Sequence, residues 1–175
     1  VFSFSPTSNS EFAMSELTYI PSGTNYCTAI SFTAYGTGNH TVTGTILISV
    51  NSTAVPEIYG VTTKGTSVNF PASSVYSAVA TATGAGLTSI QLLALPSTAS
   101  GVLYLGSTPA NITTKYFYSG SNSLMSQLRF VPNSGYTGSV TIPYVALDST
   151  GTAIAAGQVS FGVVNSVKKF SDVTT

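Results

Sequence analysis

Few residues in this chain could carry out acid–base, nucleophilic or metal chemistry. The sequence has one histidine, His40, and one cysteine, Cys27, and no acidic residue lies between Glu57 and Asp148. A lone imidazole with no second histidine or carboxylate nearby does not make a metal site, which needs several ligands together. The sequence contains no Gly-x-Ser-x-Gly nucleophile elbow and no glycine-rich phosphate loop. We therefore predict that the chain is not an enzyme and that it holds no cofactor.

Asp148 and Cys27 have simpler structural interpretations. Calcium takes about six to eight oxygen ligands, usually from several acidic residues, and the acidic residues of this chain are scattered. Asp148 is instead expected to form a turn by accepting hydrogen bonds from the backbone that follows it. Cys27 begins an alternating segment and is expected to be a small buried residue without a disulfide partner in the chain.

The composition excludes several classes of protein. Of 175 residues, 6% are charged and 43% are hydrophobic, and the formal net charge is zero. A chain with so much apolar material and so little charge is not of the disordered type. A neutral surface also releases few counterions from phosphates, so nucleic acid is not an expected partner. No apolar run approaches the roughly 20 residues of a membrane helix, and we expect no membrane span.

The hydrophobic pattern indicates strands throughout the chain. Segments such as 16–20, 28–34 and 43–50 alternate apolar and polar residues, and glycine-containing turns separate them at regular intervals. Regular short strands of this kind predict an all-β fold, an antiparallel β-sandwich. Only residues 73–83 are ambiguous, because they would also fit a short helix.

An internal repeat is the most informative feature of the sequence. Met14-Ser-Glu-Leu-Thr-Tyr-Ile-Pro21 matches Met125-Ser-Gln-Leu-Arg-Phe-Val-Pro132, about 110 residues later. Further along, Phe32 aligns with Ile142 and Gly44 aligns with Gly157, and both copies end with Asn-Ser. Such a period predicts structural units of about this length, each with its own core.

The repeat divides the chain unequally, into about one and a half units. Residues 1–54 correspond to the C-terminal half of a first sandwich repeat, residues 55–166 to a complete repeat, and residues 167–175 to a linker. Half a unit would expose an apolar sheet face and a free edge. Three resolutions stay open: the half packs on the complete unit, strands from another chain complete it, or the missing strands belonged to a segment not included.

Three motifs of the complete unit suggest a family. They are Gly101-Val-Leu-Tyr-Leu-Gly106, Leu128-Arg-Phe-Val-Pro-Asn-Ser-Gly-Tyr-Thr-Gly138 and Val140-Thr-Ile-Pro-Tyr-Val-Ala-Leu-Asp148. Their order resembles the tandem bacterial cadherin-like and Ig-like repeats of surface-layer and adhesin proteins. The resemblance implies an Ig-like or cadherin-like β-sandwich on the bacterial cell surface.

A second resemblance lies at the end of the chain. Lys169-Phe-Ser-Asp-Val173 is similar to the opening of an S-layer homology domain, whose modules anchor proteins to the bacterial cell wall. This resemblance implies that residues 167–175 could begin such a domain, and that the neighbouring domain binds cell-wall polysaccharide.

Aromatic residues supply the candidate interface. Along a strand, residues 116 and 118 must point to one face and residue 117 to the other, so at least one of these aromatic side chains could lie outward. The candidate interface residues are Phe2, Phe4, Tyr116, Phe117 and Tyr118.

Together these observations predict a structural cell-surface module, part of an S-layer, adhesin or extracellular fibre. It would act as a spacer and self-assembly unit, with strand complementation between chains as one route to a polymer or lattice. The alternative is a carbohydrate-binding or host-binding adhesin module that uses aromatic and hydroxyl side chains on a β-sheet face. The expected location is extracellular, at the bacterial cell surface.

Overall fold

The computed structural model describes residue 20 and residues 26–35, 41–50, 53–120 and 123–166. Apart from Ile20, the repeat motif at 14–21 lies outside these ranges, as do His40 and the tail at 167–175. The interface candidates Phe2 and Phe4 also lie outside them.

The described part of the chain is mostly β-structure, with one α-helix and a short 3₁₀ helix at Met125–Gln127. The first six elements after residue 25 are β1 (Tyr26–Tyr35), β2 (Thr41–Val50), β3 (Thr53–Ala54), β4 (Ile58–Thr63), β5 (Val68–Asn69) and α1 (Ala72–Thr83). The remaining strands are β6 (Ser89–Leu92), β7 (Gly101–Leu105), β8 (Thr108–Pro109), β9 (Lys115–Phe117), β10 (Leu128–Pro132), β11 (Gly138–Leu147) and β12 (Ala153–Val164).

The described strands form three sheets. Strands β1 and β2 pair with each other as an antiparallel hairpin, and a four-stranded sheet has the order β5-β10-β7-β8. A larger sheet has the order β3-β12-β11-β6-β9, with β4 also paired to β12. The all-β prediction is confirmed to the extent that the fold is β-rich with sheets that can form a sandwich.

Two pairings differ from the antiparallel arrangement expected from the sequence. Strands β3 and β4 run parallel to β12, whereas every other described pairing is antiparallel. Alternation specifies which face of a strand is buried but not the direction of its neighbour, so the pattern could not reveal this. The expectation of a purely antiparallel sandwich is therefore wrong at β3 and β4.

The four-stranded sheet and the larger sheet share one hydrophobic core. Phe130 of β10 stacks on Phe161 of β12, with ring centroids 5.7 Å apart and planes at 12°. Leu103 of β7 and Ile142 of β11 are buried in the same cluster. Alternation along β10 explains this, because Leu128, Phe130 and Pro132 are buried and the residues between them are half-buried.

The ambiguous segment at 73–83 is a helix. In α1, Ala72, Val75 and Val79 are buried, and this spacing of three and four residues forms one helical face. The helix ends at Gly84, which has a left-handed backbone (φ 68°) and donates its N–H to the carbonyl of Ala80. A strand would also have placed Val75 and Val79 on one face, with Ser77 between them, whereas the helix brings Ala72 to the same face as the two valines, which are fully buried.

The β1–β2 hairpin lies beside the larger sheet. Strand β2 is next to both β11 and β12, and β1 is next to β12. Strand β3, which belongs to the segment expected as a half-unit (1–54), pairs with β12 instead. Among the described residues of the segment 1–54, Thr53 and Ala54 are the ones that pair with a strand of the second unit.

Candidate functional site

The three consecutive aromatic residues at 116–118 divide between the core and the surface. Tyr116 is fully buried, Phe117 is exposed, and Tyr118 is half-buried. The ring of Tyr118 stacks on Tyr76 of α1 at 4.3 Å between centroids. The alternation expected from the sequence therefore holds, with 116 and 118 inward and 117 outward.

Tyr116 is a core residue, which corrects its place among the candidate interface residues. Its hydroxyl donates to the carbonyl of Asn111 at 2.7 Å and accepts the N–H of Asn111 at 2.9 Å. The Asn111 side chain in turn accepts hydrogen bonds from the backbone N–H groups of Thr113 and Thr114. Tyr116 thus holds the loop between β8 and β9, and it has no surface to offer a partner. Of the predicted interface residues in the described part, Phe117 is the exposed one.

The two copies of the repeat form matching hairpins. In β1–β2, Phe32 lies opposite Gly44 and Ile30 lies opposite Ile46. In β11–β12, Tyr144 lies opposite Gly157 and Ile142 lies opposite Val159. The structural equivalent of Phe32 is therefore Tyr144, not Ile142 as the sequence alignment suggested. Insertions in the turns had shifted the alignment by two residues, which leaves each side chain on the same face.

These equivalent residues differ in burial. Ile142, Tyr144 and Val159 are fully buried in the core. Ile30 is 41% exposed, Phe32 is 38% exposed and Ile46 is 42% exposed. The first hairpin therefore presents, on its surface, the residues that the second hairpin places inside a sandwich.

We call the surface formed by Ile30, Phe32 and Ile46 the hairpin face. All three side chains lie on one side of the hairpin, because positions 30 and 32 are two apart on β1 and Ile46 is opposite Ile30. Neither β1 nor β2 contains a charged residue. An apolar, uncharged patch on two adjacent strands has the character of a protein–protein contact surface.

A second unusual feature lies in the core at Tyr144. Its hydroxyl is buried and has no hydrogen-bond partner among the described residues. Burial raises the pKa of Tyr144 to about 12. The ring lies over Gly157, where an added Cβ would be 2.5 Å from the hydroxyl oxygen. Position 157 therefore requires glycine, because any side chain there would collide with the Tyr144 ring.

A polar cluster joins β4 to β12. Both carboxylate oxygens of Glu57 are bonded, one by the Ser160 hydroxyl and the other by the Tyr59 hydroxyl. Ser160 is itself hydrogen-bonded to the hydroxyl of Thr141 at 2.9 Å. Partial burial would raise the pKa of Glu57, but hydrogen bonds from Ser160, Tyr59 and Gln158 outweigh burial and lower it.

Sequence reasoning missed this cluster. The spacing Glu57-x-Tyr59 on one strand face was a local signal, because side chains two apart on a strand share a face. The partner Ser160 was not visible, since it is brought in by a parallel pairing distant in sequence.

Asp148 forms a turn, as the sequence predicted. Its carboxylate accepts the backbone N–H of Thr150 at 2.8 Å and of Thr152 at 2.9 Å, and also the Thr150 hydroxyl. The Thr150 hydroxyl and then the Thr152 N–H contribute most to lowering the pKa of Asp148. In the described ranges, no group of three or more histidine, cysteine or acidic residues is arranged to hold a metal ion.

Comparison with known proteins returned no relatives. No family model, no curated protein and no solved structure matches the chain. Within the described residues, no helix is long and apolar enough to cross a membrane.

Proposed function

We propose that this chain is a structural module of an extracellular assembly and that it self-associates through the hairpin face. The observation that carries the proposal is the difference in burial between two equivalent hairpins. Ile142, Tyr144 and Val159 are buried under a second layer, whereas Ile30, Phe32 and Ile46 are each about two-fifths exposed.

The energetics favour covering this face. Burying apolar surface stabilises an interface by roughly 25 cal/mol per Å². With no charge on β1 or β2, there is no ionic group to desolvate and no like-charge repulsion when two copies meet. In this proposal the half-unit gains its missing layer from another chain that packs on the hairpin face, rather than from a strand added at its edge.

The resemblance to bacterial cadherin-like and Ig-like repeats supports a surface-layer, adhesin or fibre location. The similarity of residues 169–173 to an S-layer homology domain supports a neighbouring anchor to cell-wall polysaccharide. In that setting the module is a spacer and assembly unit at the bacterial cell surface, without chemistry of its own.

Substitution of one isoleucine tests the proposal on the full chain. Ile30→Thr removes a methyl-rich side chain from the hairpin face, and Ile112→Thr makes the same change on a loop where the isoleucine is 45% exposed. Sedimentation velocity over a range of concentrations should show weakened assembly for Ile30→Thr and unchanged assembly for Ile112→Thr. Equal assembly of both variants, or a wild-type chain that stays monomeric at every concentration, would overturn the proposal.

Carbohydrate binding is the second candidate function, and Tyr59 is the observation that favours it. The ring is mostly exposed and its hydroxyl is held by the Glu57 carboxylate. Aromatic faces beside carboxylates stack on sugar rings and accept hydrogen bonds from sugar hydroxyls. A glycan array distinguishes the two, because a lectin binds a defined set of glycans and loses them in Tyr59→Ala, whereas a spacer binds none.

A further inference from the structure

Strand β4 is an edge strand of the larger sheet, and it differs from the short edge strands β3, β5, β8 and β9; the hairpin strands β1 and β2 are the other long, uncharged edges among the described residues. Strand β5 has two residues, β8 has two and includes Pro109, and β9 has three and includes Lys115. Short length, proline and lysine are the features that keep an edge from pairing with another chain. By contrast, β4 has six residues, Ile-Tyr-Gly-Val-Thr-Thr, without a charge or a proline.

The backbone of β4 has a side available for pairing. The N–H of Lys64, just after the strand, donates to the carbonyl of Val164 on β12 at 3.1 Å. Successive residues of a strand direct their backbone groups to opposite sides. Residues 58, 60 and 62 therefore face β12, and residues 59, 61 and 63 turn their N–H and C=O groups away from it. Among the described residues, no strand pairs with β4 on that outer side.

The side chains of β4 are also suited to contact with a partner. Tyr59 is 75% exposed and Val61 is 62% exposed, and both lie on the same sheet face. The Tyr59 hydroxyl is bonded to Glu57, which is fixed by Ser160 of β12. Because Tyr59 is already held in place, less side-chain freedom is lost when a partner binds.

We propose that a second copy of this chain pairs with it through β4, antiparallel and centred on Gly60. In this register Tyr59 of one copy lies opposite Val61 of the other, and the reverse, so that two aromatic–aliphatic cross-strand pairs form. Residues 59 and 61 are those whose backbone groups face outward, so each pair exchanges two N–H···O=C bonds. The two larger sheets become one continuous sheet.

This contact is isologous, since the same strand is used on both copies, and it closes as a two-fold dimer. The proposal rests on the proposed function in that the partner is another copy of the chain. It uses a different surface from the hairpin face, however, so the two contacts can be lost independently.

Lysine substitution tests the edge contact in the full chain carrying Ile30→Thr, where the hairpin face is weakened. Val61→Lys places a charge at the centre of the proposed contact, and Thr108→Lys adds the same charge to the exposed edge strand β8. We expect a monomer–dimer equilibrium whose dissociation constant rises about tenfold or more with Val61→Lys and does not change with Thr108→Lys. Equal effects of the two lysines, or a monomer without either, would overturn the proposal.

Disulfide trapping tests the register and does not depend on the lysine variant. In a Cys27→Ser background, Tyr59→Cys and Val61→Cys chains are purified separately and oxidised alone or mixed. Opposite residues are about 5.5 Å apart at Cα, within the range a disulfide spans, while two copies of residue 61 are offset along the strands beyond about 7 Å. Only the mixture should form covalent dimers. Dimers from either chain alone, or none from the mixture, would refute the register.

If Ile30→Thr leaves assembly intact while Val61→Lys dissociates dimers, the hairpin-face proposal fails and the β4 contact stands. If instead Ile30→Thr weakens assembly and Val61→Lys has no effect, the hairpin-face proposal stands and the β4 contact is refuted.

Discussion

Removal of a hydroxyl group should have opposite effects on stability at two buried tyrosines. Tyr116 and Tyr144 are both fully buried. The Tyr116 hydroxyl makes two hydrogen bonds with the backbone of Asn111, whereas the Tyr144 hydroxyl makes none among the described residues. Phenylalanine keeps the ring and its packing at either position, so Tyr116→Phe and Tyr144→Phe isolate the hydroxyl.

The expected magnitudes follow from the hydrogen bonds. A satisfied hydrogen bond contributes about 0.5 to 1.5 kcal/mol, so Tyr116→Phe should lower the free energy of unfolding by about 1 to 3 kcal/mol. An unsatisfied buried hydroxyl costs about 1 to 3 kcal/mol, and Tyr144→Phe removes that cost. The free energies of unfolding of the two variants should therefore differ by at least about 2 kcal/mol, with the wild type between them.

Urea unfolding monitored by circular dichroism measures the difference. The slope of the unfolding free energy against urea should be the same for all three chains, since the area exposed on unfolding does not change. A change of 1 kcal/mol corresponds to roughly 2 to 4 °C in Tm for a chain of this size. If Tyr144→Phe is destabilised as much as Tyr116→Phe, then Tyr144 has a hydrogen-bond partner and the reasoning fails.

Two further predictions concern the same part of the core. Between pH 10 and 12 the unfolded chain loses the Tyr144 proton while the folded chain, with its pKa raised to about 12, retains it. Stability should therefore fall over this window by on the order of 2 to 3 kcal/mol, and Tyr144→Phe should remove that part of the pH dependence in urea titrations. Gly157→Ala would place Cβ 2.5 Å from the Tyr144 hydroxyl and 2.7 Å from Cζ. Its Tm should drop by an amount equivalent to about 1 to 3 kcal/mol, and the same substitution should cost less in a Tyr144→Phe chain; equal losses in the two chains, or no loss in either, would contradict the close approach.

Local pattern predicted the strands better than the helix. Period-two alternation at 28–34 and 43–50 identified the long strands β1 and β2. The helix α1 was ambiguous because alanine, serine and threonine fill its exposed positions and only Val75 and Val79 define its buried face. Its two ends carried clearer signals, with Pro71 before the first turn and Gly84 after the last.

Pairing between distant strands could not be derived from the sequence. Strand β4 is placed beside β12 by a parallel contact across most of the chain, and no local pattern encodes this. The polar cluster at Glu57 depends on that contact, so it was missed as well. The repeat did match the segments that form the two hairpins. In the structure Gly44 lies opposite Phe32 and Gly157 lies opposite Tyr144. Phe32 is therefore equivalent to Tyr144, two residues from the position that the sequence alignment gave.

The candidate site was predicted only in outline. Alternation indicated that one of three aromatic residues points outward, and Phe117 does. The pairing of β9 with β6 determines which face of β9 packs against the core. Ile90 of β6 lies opposite Tyr116, and both side chains are buried. The hairpin face could not be identified as exposed, since Ile30 and Ile46 have the same residue types and spacing as buried core residues in the second copy.

The hairpin face and the β4 edge lead to assemblies of different symmetry. A two-stranded hairpin is only marginally stable by itself, so β1–β2 depends on what it packs against. The larger sheet lies beside it, and in the proposed assembly another copy of the chain would cover the hairpin face. Pairing through β4 alone closes as a dimer, because the strand pairs with itself. A dimer held through β4 would carry two hairpin faces, one from each copy, and contacts through those faces would join dimers end to end. Two different two-fold contacts on each copy would connect it to two neighbours, which is sufficient for a linear fibre.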